Sequence, residues 1–314
     1  MLSLYTAEDH NKGEVALCSL AGAVPANIKD DEEYEDVTYY ALLMIDKCIH
    51  KNEYTLPHLS VTAKSRLNAG VGIVGLAHMM AKHRMKYSTP EGKQFIHWIA
   101  ERHMFMCIKS SLRLAKELGP APWIHKTKWV DGWLPIDTYE KAVDEVVENN
   151  LMYPWEEIRK DIIATGGIRN SCLVAHMPAE TSSKASGTTN GIYPVRSLSQ
   201  LKGDSDTVIR WAAPDSDVLG QYYESAYDIS IKDHVDVYAV IQKFTDQAIS
   251  ADVYHKLYKD TTVGSTEILK NYFYMTKMGL KSRYYVNMKT SEGVQFEEVA
   301  EDAEAGCAGG ACTL

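Results

Sequence analysis

The sequence has no long apolar run and no recognisable leader. No segment approaches the roughly 18 consecutive apolar residues of a membrane-spanning helix. Residues 1–5 pass into Glu8 and Asp9 without a cationic stretch followed by an apolar core. The sequence therefore predicts neither a membrane span nor an export signal, and we expect a cytoplasmic protein.

Cysteine is scarce, and the net charge is negative. Six cysteines among 314 residues are too few for a secreted disulfide scaffold, so reduced thiols are expected. Lysine and arginine number 33 against 42 aspartates and glutamates, and the formal charge is -9 with the basic residues dispersed. A nucleic acid or an anionic membrane is therefore not expected as the main partner. The sequence does contain 45% apolar residues, enough for a sizeable folded core.

Signals for a metal or a nucleotide cofactor are weak. The 11 histidines form no H-E-x-x-H motif, and the single close cysteine pair lacks a second pair at zinc spacing, so no metal site is expected. Residues 70–75 match the dinucleotide fingerprint G-x-G-x-x-G, but no apolar strand precedes them and no acidic residue ends a following strand. A glycine-rich strand that packs closely against its neighbours is the preferred interpretation, with a dinucleotide oxidoreductase as an alternative.

Apolar residues at three- and four-residue steps predict amphipathic helices. One runs from Asp31 to Lys51 behind an acidic first turn, with Cys48 on its apolar stripe. A second opens at Thr89–Pro90 and ends at Gly119–Pro120, residues typical of helix starts and stops. Short apolar strands are predicted between the helices, at residues 15–20, 172–175 and 283–286. This alternation favours an α/β fold with largely parallel strands.

Three cysteines call for separate interpretations. Cys307 and Cys312 stand in a glycine- and alanine-rich stretch that can bury almost nothing and is expected to be flexible. Disulfide exchange needs a thiolate, access and in-line approach, so paired thiols on such an arm predict a redox function, with an incidental tail as the alternative. Cys18 lies in an apolar run, where an inert buried cysteine is the simpler interpretation.

Two further features leave alternatives open. Residues 178–191 are polar and small and follow a predicted strand, so the hydroxyls and N–H groups of residues 180–182 could bind phosphate, although a solvated turn fits equally well. Tyr284 and Tyr285 lie on the last predicted strand, where one buried and one half-exposed aromatic on the two faces would be usual. A relay of proton-coupled electrons is the second interpretation of this pair.

Five elements taken together resemble one known family. They occur in the family's order and approximate spacing, and they cover nearly the whole chain from residue 13. The elements are Gly13–Cys18, Leu134–Tyr139, Pro178–Ser183 with Thr189–Ile192, Tyr284–Tyr285, and the pair Cys307 and Cys312. On this basis the sequence resembles the C-terminal half of the large, catalytic subunit of class I ribonucleoside-diphosphate reductases, enzymes that reduce ribonucleoside diphosphates to deoxyribonucleoside diphosphates.

The resemblance implies roles for three of the cysteines. Cys18 is similar to the active-site cysteine that joins a second cysteine in a disulfide as the ribose 2'-hydroxyl leaves as water. Cys307 and Cys312 resemble the terminal pair that re-reduces the active site. In the family that pair is itself reduced by thioredoxin or glutaredoxin, which are therefore expected partners.

The resemblance also implies roles for the tyrosines and the polar loop. Tyr284 and Tyr285 are similar to the stacked pair that carries the radical from the small subunit towards the active-site thiol. Glu180, Thr181 and Ser182 match the loop whose backbone and hydroxyls hold the substrate diphosphate. These roles agree with what the residue types indicate, a phosphate loop after a strand and a pair of aromatic side chains.

The fold implied by the resemblance is α/β, the second half of a ten-stranded α/β barrel. In the family two parallel five-stranded halves surround a finger loop that bears the radical cysteine. Residues 1–230 are expected to form the second half-barrel with Cys18 and the phosphate loop. Residues 231–288 would form a C-terminal region of helix and strand with the tyrosine pair, and residues 289–314 a flexible redox tail.

The sequence also departs from the family pattern. The family's radical cysteine lies in an Asn-x-Cys-x-Glu motif upstream of the Cys18 position, and residues 1–17 contain neither that motif nor any cysteine. Residues 170–174 imitate the motif just before the phosphate loop, but the last position is Val174 instead of glutamate, and we interpret Cys172 as a buried strand residue. Ala179 carries a methyl group where many relatives have a serine hydroxyl, which removes one expected phosphate contact.

These departures predict that the chain acts only in a complex. We expect a naturally split gene, as in some bacteriophages, with an N-terminal fragment that carries the radical cysteine and a small subunit that holds a di-iron tyrosyl radical. No cofactor is expected on this chain itself, and its location would be the host cytoplasm. An isolated half-barrel would expose apolar edges and faces, so an obligate complex with a large interface is expected. The alternative is a non-catalytic remnant that binds and regulates the small subunit.

Overall fold

A computed structural model describes residues 4–5, 14–17, 19–203, 208–257 and 262–290. Helices and strands are mixed along this part of the chain, which confirms the predicted α/β class. The helices are α1 (Asp31–Lys51), α2 (Pro57–Arg66), α3 (Leu76–Lys82), α4 (Pro90–Leu118), α5 (Trp155–Thr165), α6 (Glu180–Ala185), α7 (Ser216–Leu219), α8 (Ile231–Lys243) and α9 (Ser265–Lys277). The strands are β1 (Leu4–Tyr5), β2 (Glu14–Val15), β3 (Leu20–Ala23), β4 (Gly70–Ile73), β5 (Ser199–Gly203), β6 (Val208–Ala212), β7 (Val253–Leu257) and β8 (Val286–Thr290).

The two long helices begin and end where their capping residues predict. Asp30 precedes α1, and its carboxylate accepts a hydrogen bond from the Glu33 N–H at 2.9 Å. Thr89 precedes α4 in the same way, with its hydroxyl accepting from the Gly92 N–H at 3.1 Å. Helix α4 ends before Gly119, whose φ of +84° suits a residue without a side chain. Both predicted helices are therefore confirmed.

Helix α1 is apolar on two sides. Tyr34 and Leu42 on one side are fully buried in the core, against α4. Much of the predicted stripe lies on the other side, where Tyr40 and Met44 are 57% and 67% exposed and Cys48 is exposed as well. Cys48 lies on the predicted apolar stripe beside Met44, but this stripe is exposed because α4 packs against the other apolar side of the helix.

Parallel extended segments form the centre of the fold. Strand β3 pairs in parallel with β4, and β7 pairs in parallel with β8. Residues 172–176 lie along β4, since the Val71 N–H donates to the Leu173 carbonyl at 2.8 Å. The Ser250 N–H in turn donates to the His176 carbonyl at 3.2 Å, which brings the segment before β7 alongside. The other two described strand pairs, β1 with β2 and β5 with β6, are antiparallel, so the predicted predominance of parallel strands holds only for these central segments. The regular sheets among the described residues have two strands each, and none of them closes.

The glycines of β4 allow this close approach of strands. An added Cβ at Gly72 would lie 2.7 Å from the Ala175 carbonyl oxygen, and one at Gly70 would lie 2.6 Å from the Leu20 side chain. The strand is buried along its whole length. The prediction that residues 70–75 contain a closely packed glycine-rich strand is therefore confirmed.

One apolar core spans most of the described chain, from Ala23 to Met278. Helix α8, which begins just past the predicted boundary at residue 230, packs against α4 within this core. The division into three regions stays a prediction. No helix among the described residues is both long enough and apolar enough to cross a membrane.

Candidate functional site

One asparagine closes the loop at residues 178–191, called the polar loop below. The Asn190 Oδ1 accepts hydrogen bonds from the N–H groups of Ala179 at 2.6 Å and Glu180 at 3.1 Å. Its Nδ2 donates to the Glu180 carboxylate at 2.8 Å. The φ of Glu180 is +32°, a left-handed conformation that glutamate rarely adopts. The Asn190 side chain holds the backbone in this conformation. Thr181 and Ser182 follow in the first turn of α6 and are exposed.

The end of the polar loop packs on the start of α3. The Leu76 N–H donates to the Gly191 carbonyl at 3.0 Å, and the His78 N–H donates to the Thr189 hydroxyl at 3.1 Å. An added Cβ at Gly75 would lie 2.1 Å from the Thr188 hydroxyl oxygen. Two of the first-turn N–H groups that a dinucleotide pyrophosphate would use are therefore already bonded to the protein, which argues against the dinucleotide interpretation of residues 70–75.

Tyr284 and Tyr285, called the tyrosine pair below, lie together just before β8. Their ring centroids are 4.0 Å apart with an interplanar angle of 51°, and the residues are 48% and 45% exposed. The prediction of a strand from 283 to 286 with one buried and one half-exposed tyrosine on opposite faces is wrong. Strand β8 begins at Val286, and the irregular backbone before it brings both rings to one side.

A cluster of polar side chains lies between the polar loop and the tyrosine pair. The Arg196 guanidinium donates to the Asn287 side-chain oxygen at 2.8 Å. Although burial alone would lower the pKa of Arg196, neighbouring phenols and the carboxylates of Glu180 and Asp252 raise it, so this group is a permanent cation. Asn287 also donates to the Asp252 carboxylate at 3.3 Å. Arg196 and Asp252 were not predicted as site residues, because neither stands in a motif and their partners are distant in sequence.

Comparison with known proteins identifies the family. A family model for the barrel domain of ribonucleotide reductase matches residues 4–212 and 209–286. The chain belongs to the ribonucleotide reductase family. The family membership predicted from the sequence is thus confirmed, and the matches are consistent with a C-terminal half of the large subunit.

Three relatives illustrate the extent of the similarity to ribonucleotide reductases. The alpha subunit of ribonucleoside-diphosphate reductase from Haemophilus influenzae is 36% identical over 314 residues, which are 99% of this chain and 41% of the relative. The alpha subunit of reductase 1 from Escherichia coli is 35% identical over 83% of this chain and 35% of its own length. The alpha subunit from Enterobacteria phage T4 is 28% identical over 96% of this chain and 40% of its own length. The chain therefore spans less than half of each of these reductase subunits.

The cysteines that the reductase resemblance singles out are not among the described residues. Cys18, Cys307 and Cys312 lie outside them, and their roles stay predictions. Cys172 is described, lies in the row of parallel segments and donates from its thiol to Asn68 Oδ1 at 3.2 Å. Desolvation raises the pKa of this thiol to about 12, so it stays protonated and unreactive. The prediction of a buried strand residue is wrong in part, because Cys172 is half-buried and its extended segment is not a regular strand.

Metal ligands are not grouped in this part of the reductase chain. Among the residues that the structure describes, no three histidine, cysteine, aspartate or glutamate side chains are arranged to hold a metal ion. The buried histidines His97, His103 and His234 have pKa values lowered to about 4 by desolvation and are neutral at physiological pH. His103 and His234 form hydrogen bonds within the core, whereas His97 packs edge-on against Phe244 and neither of its ring nitrogens has a hydrogen-bond partner among the described residues.

Proposed function

We propose that this chain is the C-terminal part of a split ribonucleoside-diphosphate reductase large subunit. It would reduce ribonucleoside diphosphates once assembled with an N-terminal fragment and a small subunit whose di-iron tyrosyl radical supplies the oxidising equivalent. The observation that carries the proposal is the pair of touching, half-exposed tyrosines, which Asp252 and Asn287 connect to Arg196 near the polar loop. Family membership and the 41% coverage of the Haemophilus influenzae subunit support it.

The polar loop would hold the diphosphate group of the substrate. The exposed hydroxyls of Thr181 and Ser182 can donate hydrogen bonds to phosphate oxygens at the start of α6. Asn190 fixes the backbone of Ala179 and Glu180, so the loop is ordered before substrate arrives and loses little entropy on binding. Arg196 adds positive charge close to the loop, which favours an anionic substrate.

The tyrosine pair would exchange a proton and an electron between its phenols. Ring centroids at 4.0 Å place the two side chains in direct contact, so transfer needs no intervening residue. At the active site, the Cys18 thiol and a second cysteine would give up two electrons and form a disulfide as the ribose 2'-hydroxyl leaves as water. Cys307 and Cys312 would return the two electrons by thiol–disulfide exchange and be reduced by thioredoxin or glutaredoxin.

The surface on which the N-terminal fragment would dock is a groove of about 640 Å³ between β3 and the outer face of α1. Leu20, Val37, Tyr40 and Met44 line it, and three of these are large apolar residues at least 42% exposed. Within the described chain β3 pairs with β4 alone, so its other edge is open. An open strand edge beside an apolar helix face is what the next strand and helix of an α/β barrel cover, so we propose the missing barrel half as the occupant.

Substituting glutamate at both Tyr40 and Met44 is expected to weaken binding of the N-terminal fragment by about 2–4 kcal/mol, because two carboxylates would lose water without gaining partners. Both side chains are more than half exposed, so the fold should tolerate the change. Sedimentation velocity with the N-terminal fragment measures the binding. Val218→Glu is the control, since Val218 is 70% exposed on α7, away from the groove. Equal affinity for the double variant and the control would contradict docking at this surface.

A further inference from the structure

The backbone at the tyrosine pair departs from a regular parallel ladder. In such a ladder a residue donates its N–H to the carbonyl of the residue before its partner. Its own carbonyl accepts from the N–H of the residue after its partner. The Val253 N–H donates to the Tyr285 carbonyl at 2.9 Å, so the Tyr285 N–H would regularly donate to the Ala251 carbonyl. The Ala251 carbonyl instead accepts from the Tyr284 N–H at 2.9 Å. The strand therefore contains one extra residue at this point, a bulge.

The bulge explains why the rings meet. Successive side chains on a regular strand point to opposite faces, which would separate the rings of Tyr284 and Tyr285. At a bulge two residues oppose one partner and a side chain is re-aimed, so both rings can project to one side. The observed centroid distance of 4.0 Å fits this arrangement and does not fit opposite faces.

At the bulge the Tyr285 N–H has no backbone acceptor among the described residues. The carboxylate of Asp252 accepts its hydrogen bond instead. Its Oδ1 accepts from the Tyr285 N–H at 3.2 Å, while its Oδ2 accepts from the Asn287 amide at 3.3 Å and the Tyr254 hydroxyl at 3.3 Å. The residue is only 3% exposed. A buried carboxylate without donors would be costly, so three donors from both strands are needed to keep it there.

The donors to Asp252 are themselves held in place. Asn287 accepts from Arg196 at 2.8 Å and so turns its amide nitrogen towards the carboxylate. Tyr254 lies opposite Asn287 in the register of β7 and β8 and packs edge-on against Tyr227. The carboxylate is thus the acceptor of a small network that spans both strands at the bulge.

We propose that Asp252 is a positioning residue that holds the bulge and thereby keeps the rings of Tyr284 and Tyr285 in contact. Its removal would let the Tyr285 N–H pair with the Ala251 carbonyl, restore the regular ladder and send the two rings to opposite faces. The positioning itself is independent of any reaction, whereas its consequence for radical transfer rests on the proposed function.

The test is a nuclear Overhauser effect between the two rings in the full chain with labelled tyrosine rings, assigned with the Tyr284→Phe and Tyr285→Phe variants. The effect is expected in the native chain and is expected to be lost in Asp252→Ala. Asp252→Asn keeps one oxygen that can accept from the Tyr285 N–H, so it should restore the contact at least in part. A contact that persists in Asp252→Ala would overturn the proposal.

Asp246→Ala is the matched control. Asp246 also accepts two N–H groups from a neighbouring segment, Leu173 at 2.8 Å and Val174 at 2.9 Å, so its loss should lower stability without separating the tyrosine rings. Separation of the rings in this control too would mean general loosening and would overturn a specific role for Asp252. In the assembled enzyme Asp252→Ala should lower kcat about 100-fold with KM unchanged, as expected for lost alignment. Separated rings with full turnover would leave the positioning role standing and count against the proposed radical path.

Discussion

Replacing either Tyr284 or Tyr285 with phenylalanine is expected to abolish turnover of the assembled reductase, by about a thousandfold or more, which corresponds to ~4 kcal/mol. Phenylalanine keeps the ring and its contacts but lacks the phenolic proton that must move with the electron. Both residues are about half exposed, at 48% and 45%, so the substitutions should leave stability nearly unchanged. The measurement is the rate of deoxyribonucleoside diphosphate formation by the full assembly.

A control separates this effect from general loss of a surface hydroxyl. Tyr272 is 42% exposed on α9 and contacts Arg283 through its ring, so Tyr272→Phe should retain activity. Binding of the N-terminal fragment and the small subunit is measured on the same samples and should be unchanged in all three variants. Turnover close to the native rate in Tyr284→Phe or Tyr285→Phe would refute the radical path through the tyrosine pair.

Substituting serine at both Cys307 and Cys312 is expected to reduce thioredoxin-driven activity to about a single turnover per active site. Once the active-site disulfide has formed, the enzyme would lack the thiol pair that passes electrons to it by exchange. A small dithiol can enter the site directly and should still support many turnovers. Product formed per enzyme is measured with thioredoxin and, separately, with the dithiol.

Cys48→Ser provides the comparison for the tail variant. Cys48 is an exposed thiol on α1 with no proposed role in exchange. It lines the groove proposed for docking, but serine has nearly the same size, so assembly and thioredoxin-driven turnover should both persist. Loss of activity with the small dithiol as well would show that the double serine variant fails for another reason. Sustained thioredoxin-driven turnover in the double variant would remove the redox role of the terminal pair.

The elements that the sequence predicted well depend on local chemistry. Asp30 and Thr89 cap their helices by accepting hydrogen bonds from N–H groups three residues later, and Gly119 ends α4. Short sequence patterns therefore suffice to place these helix boundaries. The close packing of β4 could be predicted in the same way, because only glycine permits backbone contact at Gly72. Family membership followed from several motifs in order, which is more specific than any one of them.

The errors lie where distant residues decide the structure. Periodicity identifies the apolar residues of α1 but does not show which of its two apolar sides packs against α4, so the exposure of the stripe that contains Cys48 could not be predicted. The local pattern predicts a regular strand at Tyr284 and Tyr285. The bulge depends on Asp252, which lies 33 positions before Tyr285 in the chain and therefore outside any local pattern. Arg196 contacts Asn287 across 91 positions, and no local pattern indicates such a contact.

Reconstitution of the reaction tests the central proposal most directly. The full chain is combined with an N-terminal large-subunit fragment that carries the Asn-x-Cys-x-Glu motif, the small subunit, thioredoxin and a ribonucleoside diphosphate, and deoxyribonucleoside diphosphate is measured. We predict product in the complete mixture and none when either this chain or the N-terminal fragment is left out. A complex of this chain with the small subunit that forms no product in the complete mixture would contradict the account and favour a regulatory remnant.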